Sequence, residues 1–161
     1  TLNLNSTGQL VLDKANASVP GTGFAWNAGT LKIGTIGTMS LANALSIPAS
    51  GTLDINGLLE IDNGGSINNL GVFNLNNTGG LTFKNTTVSL PNGTFNWLSG
   101  ADITINSGST LALATALAIP ANSKLTNHGT IDLSNTISVP PTGSLANNGT
   151  LNINNVGVLS N

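Results

Sequence analysis

Few side chains here are able to do chemistry. The 161-residue chain has one histidine, four lysines, no arginine, six carboxylates and no cysteine. The histidine, His128, lies in the stretch TNHGT (126–130), and serines and threonines are scattered over turn and strand positions. Nucleophilic catalysis needs a nucleophile, a base and an orienting group that converge. No spacing here supplies that set. Asp54, Glu60 and Asp62 are near in sequence, as paired carboxylates of a polysaccharide-active enzyme would be. Asp54 and Glu60 fall on different predicted sides, however, and no arginine is present to bind an acidic sugar. Calcium repeats with an aspartate in each glycine-rich nonapeptide are missing, as is any D-x-D-x-D loop. Without cysteine there is no disulfide framework and no thiolate metal site. We expect no catalytic, cofactor-binding or metal-ligating residue, and no enzyme activity.

What the chain has instead is repeated threonine. Whether it forms a surface depends on the elements that carry it. Composition limits these first. Only 6% of residues are charged, against about 25% in an average soluble domain. Four scattered lysines and a net charge of −2 make no phosphate-neutralising patch, which argues against nucleic acid as a partner. The longest apolar stretch, TLALATALAIPA (110–121), is too short and too interrupted to span a bilayer. Asparagine, leucine, threonine and glycine dominate the sequence.

A 17-residue block recurs at 17–33, 45–61, 117–133 and 137–153, with a copy one residue longer at 88–105. Each reads apolar-x-apolar-Pro, a turn, a short strand, a Gly or Asn turn and another strand. Beneath it, apolar-x-apolar triads recur at short, nearly even intervals along the whole chain. Alternation within a triad is the half-buried strand signal, and the gaps hold turn residues. No window keeps a helical period.

Every third triad falls into one of three columns. One starts near 10, 31, 53, 73, 95, 117, 137 and 158. A second starts near 24, 45, 66, 88, 111, 131 and 151. The third starts near 17, 39, 59, 81, 103, 125 and 145. Steps within a column are about 20 to 23 residues, a solenoid period. This predicts an all-β, three-sided parallel β-helix, a solenoid of about seven to eight coils. The long coil and uneven corners favour the right-handed form. Residues 1–161 read as a single solenoid segment excised from a longer chain, since the first residue is Thr and the last stop partway through the pattern.

The triad rule assigns facing, with first and third residues inward. Leu31, Ile33, Leu53, Ile55, Phe73, Leu75, Ile105, Leu111, Leu113, Ile131, Leu133, Leu151 and Ile153 then form a stacked core. All six aromatics, Phe24, Trp26, Phe73, Phe83, Phe95 and Trp97, point inward as core filling, Trp26 and Trp97 being the two a strand end could turn outward. Asn27, Asn56, Asn92, Asn127, Asn147 and Asn148 sit at corners, where positive φ and amide ladders are expected. Lys32 with Asp54, and Asp102 with Lys124, share outward slots on consecutive coils and are expected to pair. In the second column Thr87, Thr110, Thr130 and Thr150 make one outward file. Two residues on stand Ser89, Ala112, Asp132 and Asn152, so a second threonine file is missing. Thr82, Thr104 and Thr126 make a similar half-array, flanked by Gly80, Asp102 and Lys124. The first file is the candidate ligand-binding surface.

The recurring G-T-L-x-I, as GTLKI (29–33), GTLDI (51–55), GTIDL (129–133) and GTLNI (149–153), resembles the β-helical stalks of secreted bacterial adhesins of the filamentous-haemagglutinin or autotransporter type. The likeness covers nearly the whole chain and carries no active-site motif. It implies an extracellular, cell-surface fibre acting as rigid stalk or contact surface. Its partners would be a host or neighbouring cell surface, a glycan or a matrix ligand. The alternatives are a carbohydrate-binding or ice-binding solenoid face and, third, a polysaccharide-active β-helix enzyme. No amphipathic helix caps either end, so end-to-end self-association is also expected.

Overall fold

A computed structural model describes residues 2–19, 24–90, 94–154 and 156–161. Among them are 23 short strands and no helix, so no helix among the described residues is long and apolar enough to cross a membrane. Every pairing is parallel and joins a strand to the one three places away. The chain is a β-solenoid of about seven turns, with three strands per turn.

The first face stacks β1 (Leu2–Leu4), β4 (Phe24–Trp26), β7 (Ala44–Ile47), β10 (Ser66–Asn69), β13 (Thr87–Leu90), β16 (Thr110–Leu113), β19 (Thr130–Leu133) and β22 (Thr150–Ile153). It is laddered as β1–β4, β7–β10 and β13 to β22. The second face holds β2 (Gln9–Leu12), β5 (Gly29–Ile33), β8 (Gly51–Ile55), β11 (Val72–Leu75), β14 (Thr94–Trp97), β17 (Leu117–Ala118), β20 (Thr136–Ser138) and β23 (Val158–Ser160). Its ladder runs from β2 to β14, stops, and resumes from β17 to β23. The third face holds β3 (Asn16–Ser18), β6 (Thr38–Leu41), β9 (Leu58–Ile61), β12 (Gly80–Phe83), β15 (Asp102–Ile105), β18 (Lys124–Asn127) and β21 (Ser144–Asn147). This seven-strand ladder is unbroken.

Strand alternation turns every second side chain into the interior. Each inward residue then meets its equivalents on the coils before and after, as Leu31 meets Leu53 and Leu53 meets Phe73. Leu31, Ile33, Leu53, Ile55, Phe73, Leu75, Ile105, Leu111, Leu113, Ile131 and Leu133 are buried as expected. Leu151 is only half-buried and Ile153 is 53% exposed. Their coil has a full neighbour on one side only, and a solenoid coil is covered by its neighbours. Phe73, Phe83 and Trp97 are buried, while Phe24, Trp26 and Phe95 are half-buried against the same core. Phe73 and Phe95 meet edge to face with centroids 5.0 Å apart. Two strands are shifted from their expected facing; in β23 it is Leu159, not Val158, that aligns with the inward Ile137. Near residue 66 the triad would place Ser66 and Asn68 inward, but Ile67 aligns with Leu45 and Asn69 with Ile47. Burying Ile67 decides this register. Asn69 is buried with it, and its amide donates to Thr94 O at 3.0 Å.

Small residues precede nearly every strand. At the corner before β9, Gly57 O accepts from Gly80 N at 2.8 Å, and Gly37 O accepts from Leu58 N at 3.0 Å. A Cβ on Gly57 would run into the carbonyl oxygens of Gly34 and Gly37. At two corners that carry a hydroxyl in place of glycine, the hydroxyl takes a bond. Thr86 Oγ1 donates to Gly65 O at 2.8 Å, and Ser123 Oγ accepts from Gly100 N at 3.0 Å.

Gly57→Val is expected to lower stability by about 3 kcal/mol, because Gly37 O is held by Leu58 N and Gly34 O by Gly37 N. Thr52→Val, on an outward slot of the same turn, should change it by less than about 0.5 kcal/mol. Urea unfolding followed by far-UV circular dichroism compares the two.

Candidate functional site: a threonine-lined sheet face

The four-strand ladder β13–β16–β19–β22 begins each strand with a threonine. Thr87 aligns with Thr110, Thr110 with Thr130, and Thr130 with Thr150. In β16, β19 and β22 that threonine follows Ser109, Gly129 or Gly149 at the corner. It is the first side chain past the bend with room to point outward, and its β-branch suits a strand. Rungs recur about every 4.8 Å, so the file offers a hydroxyl at each such step. Thr87 and Thr150 are exposed, and Thr110 and Thr130 half-buried. Among the described residues no side-chain hydrogen bond occupies these four hydroxyls. The adjacent file reads Ser89, Ala112, Asp132 and Asn152 in register. Asn152 Nδ2 donates to Asp132 Oδ1 at 2.7 Å, so the one charge in this file is engaged within it.

The third face carries Thr82, Thr104 and Thr126 in register. Gly80, Asp102 and Lys124 stand beside them in the neighbouring file. A further file, not singled out from the sequence, lies on the second face. Thr30 aligns with Thr52, Thr52 with Val72, and Val72 with Thr94. Its signal was the Gly-Thr step within GTLKI and GTLDI, whose threonine is outward in whichever column it falls.

The remaining polar groups mostly serve the ladders. Asn74 Nδ2 donates to Asp54 Oδ1 at 2.6 Å, and Asn96 Nδ2 to Asn74 Oδ1 at 2.8 Å. Asn27 donates to Asn5 at 2.9 Å, and Asn85 to Asn63. Asn127, fully buried, donates to Asn147 Oδ1 at 2.7 Å and Thr150 O at 2.9 Å, and accepts from Gly129 N at 3.0 Å. The amide ladders are therefore present. The positive-φ expectation is not met at the corners named from the sequence. Among the described residues the non-glycine positions with positive φ are Ser6, Asn85 and Asn122. Asn27, Asn56, Asn127, Asn147 and Asn148 are not among them, and Asn92 lies outside the described residues.

The expected charge pairs are in register but do not bridge. Lys32 aligns with Asp54, yet Asp54 takes the amide of Asn74 on its other side. Lys124 aligns with Asp102, whose Oδ1 accepts the backbone N–H of Lys124 at 2.8 Å. Short amide and backbone donors reach these carboxylates without ordering a long lysine side chain. The ion pair that does form joins Lys84 Nζ to Glu60 Oε1 at 2.5 Å, near the surface. Such pairs contribute about 0.2–1 kcal/mol.

His128 is exposed in the corner after β18, held there by its backbone N–H donating to Ile105 O at 2.7 Å. Asp54 is on the second face and Glu60 on the third. Among the described residues no three histidine, aspartate or glutamate side chains come together as metal ligands. No family model, curated protein or solved structure matches this chain.

Buried and surface amides should separate sharply on substitution. Asn127→Ala strands the partners of three hydrogen bonds and is expected to cost about 1–3 kcal/mol. Asn96→Ala, at an exposed ladder end, should stay within about 0.5 kcal/mol of the parent. Chemical denaturation of both variants checks the difference.

Proposed function

We infer that this chain is a rigid stalk or contact segment of an extracellular, fibrous surface adhesin. The unbroken seven-strand ladder of the third face is the observation that carries the reading. It ties successive coils into one stiff stack whose function is geometric: to hold a surface, or something beyond it, at a distance from the cell. The outward faces suit an extracellular contact. They are built from hydroxyls and amides, and few charges interrupt them. The G-T-L-x-I resemblance to adhesin stalks points the same way.

A second reading has its own support. The in-register file Thr87, Thr110, Thr130 and Thr150 leaves its hydroxyls unengaged, as a carbohydrate-binding or ice-binding face requires. Asp132 interrupts the neighbouring file, which weakens the ice reading relative to the carbohydrate one. A polysaccharide-active enzyme has less support, since Asp54 and Glu60 stand on separate faces.

A glycan and matrix-protein array probed with the labelled chain tests the contact role. Saturable binding that falls in the Thr110→Val/Thr130→Val double variant assigns contact to the first face. No binding by the well-folded chain leaves the stalk role. Association end to end belongs to the same reading, supported by the exposed apolar residues Leu2 and Leu159 in the terminal coils. Light scattering should show mass rising with concentration; a constant monomer mass refutes it.

A further inference from the structure

The second face has a break that the other two faces do not share at the same level. Its first ladder ends at β14 and its second begins at β17. Strands β14 and β17 belong to consecutive coils, yet no pairing joins them among the described residues. The coils themselves have not separated. β15 pairs with β18 on the third face, and β13 with β16 on the first. The break is therefore a notch in one side of the rod.

A cavity of about 510 Å³ fills this notch, within the range of small-ligand sites, roughly 300–1,000 Å³. Its lining is mixed. Asn74, Asn76 and Asn96 bring amides, while Phe95 and Trp97 bring aromatic side chains. Leu98, Ala116 and Ala118 are exposed at its rim. The Trp97 indole is fixed by donation to Ala101 O at 2.9 Å, so that edge of the cavity is rigid. Asn96 donates one N–H to Asn74. Its Oδ1 has no partner among the described residues and remains an outward acceptor. The edge of β14 away from β11 keeps backbone groups that no strand pairs.

We propose that this notch binds a neutral saccharide. Sugars present an apolar C–H face and a rim of hydroxyls that both donate and accept, which matches small apolar side chains set beside amides and unpaired backbone groups. Charge selects within the class. The lining holds no charged residue, and the lining residue Asn74 donates its amide to the Asp54 carboxylate at 2.6 Å. An acidic sugar would meet no counter-charge among the lining residues. An added peptide strand is excluded by spacing. It would need a strand's width on either side, about 4.8 Å each, and the intact ladders of the other faces hold these coils a single rung apart. The notch is separate from the threonine file, so the two readings stand independently.

Trp97 makes the test direct. In a Trp26→Phe background it is the only tryptophan in the chain. Titration with a panel of neutral oligosaccharides, including β-linked glucose, mannose and galactose hexamers, should shift its emission saturably for at least one. A uronic acid oligomer of equal length should bind at least about tenfold more weakly, a difference of about 1.4 kcal/mol. Asn96→Ala should weaken the neutral sugar by a similar factor, and Ala116→Glu, which places a side chain across the mouth, should abolish binding. The Thr110→Val/Thr130→Val variant should bind unchanged. No saturable shift with any neutral oligosaccharide overturns the proposal. So does binding that survives Ala116→Glu, or an acidic oligomer bound as tightly as the neutral one. Binding lost only in the threonine variant overturns it too, and assigns the sugar to the first face.

Discussion

The structure depends on one spacing: each coil must lie a single hydrogen-bonded rung from the next. Inside, that spacing gives every core residue a like neighbour above and below, which is why aliphatic side chains repeat down each column. At several bends it leaves no room for a Cβ. The carbonyl oxygens of Gly34 and Gly37 occupy the place where a side chain on Gly57 would go. Corner residues are therefore small. Where serine or threonine replaces glycine, as at Thr86 and Ser123, the hydroxyl satisfies a backbone group that the tight bend leaves exposed. The glycine content of the chain is a consequence of this geometry, as much as of turn propensity.

The same spacing accounts for the lack of charge. A stacked file sets each outward side chain beside its equivalents, and like charges at adjacent rungs repel. An amide can both donate and accept, so it repeats without penalty. A carboxylate only accepts, so it can end a ladder but not continue one. The structure follows this closely: Asn96 donates to Asn74, Asn74 to Asp54, and the file gains no further carboxylate. Asp132 likewise closes the step from Asn152. Asparagine is abundant because it is a polar side chain that can stack on itself.

This regularity makes much of the fold legible from sequence. The steady solenoid period defines three columns, and column membership defines register, so the alignment of Thr87, Thr110, Thr130 and Thr150 follows from counting. Register, however, specifies neighbours and not which neighbour a side chain chooses. Lys32 and Asp54 stand beside each other as the columns predict, but Asp54 has two rungs to choose from and takes the shorter donor. The facing of β10 escapes the triad rule because Asn69 is polar and buried, so a pattern of apolar residues does not register it. The positive-φ corners at Ser6, Asn85 and Asn122 depend on local bend geometry that residue type alone does not determine. The break between β14 and β17 is hidden for the opposite reason. The stretch ALATALAIP (112–120) alternates as well as any paired strand, and nothing in its composition marks the missing ladder.

In a chain built this way, most positions have an equivalent one coil away, so a unique cluster of groups is hard to assemble. A repeat that extends along the rod produces files, and files act collectively, as the unengaged threonine hydroxyls do. A singular site needs a place where the repeat fails while the rod survives. Nearest-neighbour stacking permits that, since a rung lost on one face is tolerated when the other two ladders hold the same coils. Between β14 and β17 the third face and the first face supply that support, and the backbone groups released there are the ones not already committed to stacking. The two places to look for function in this molecule are thus set by the same constraint: the in-register threonine file of the first face, and the interruption between β14 and β17.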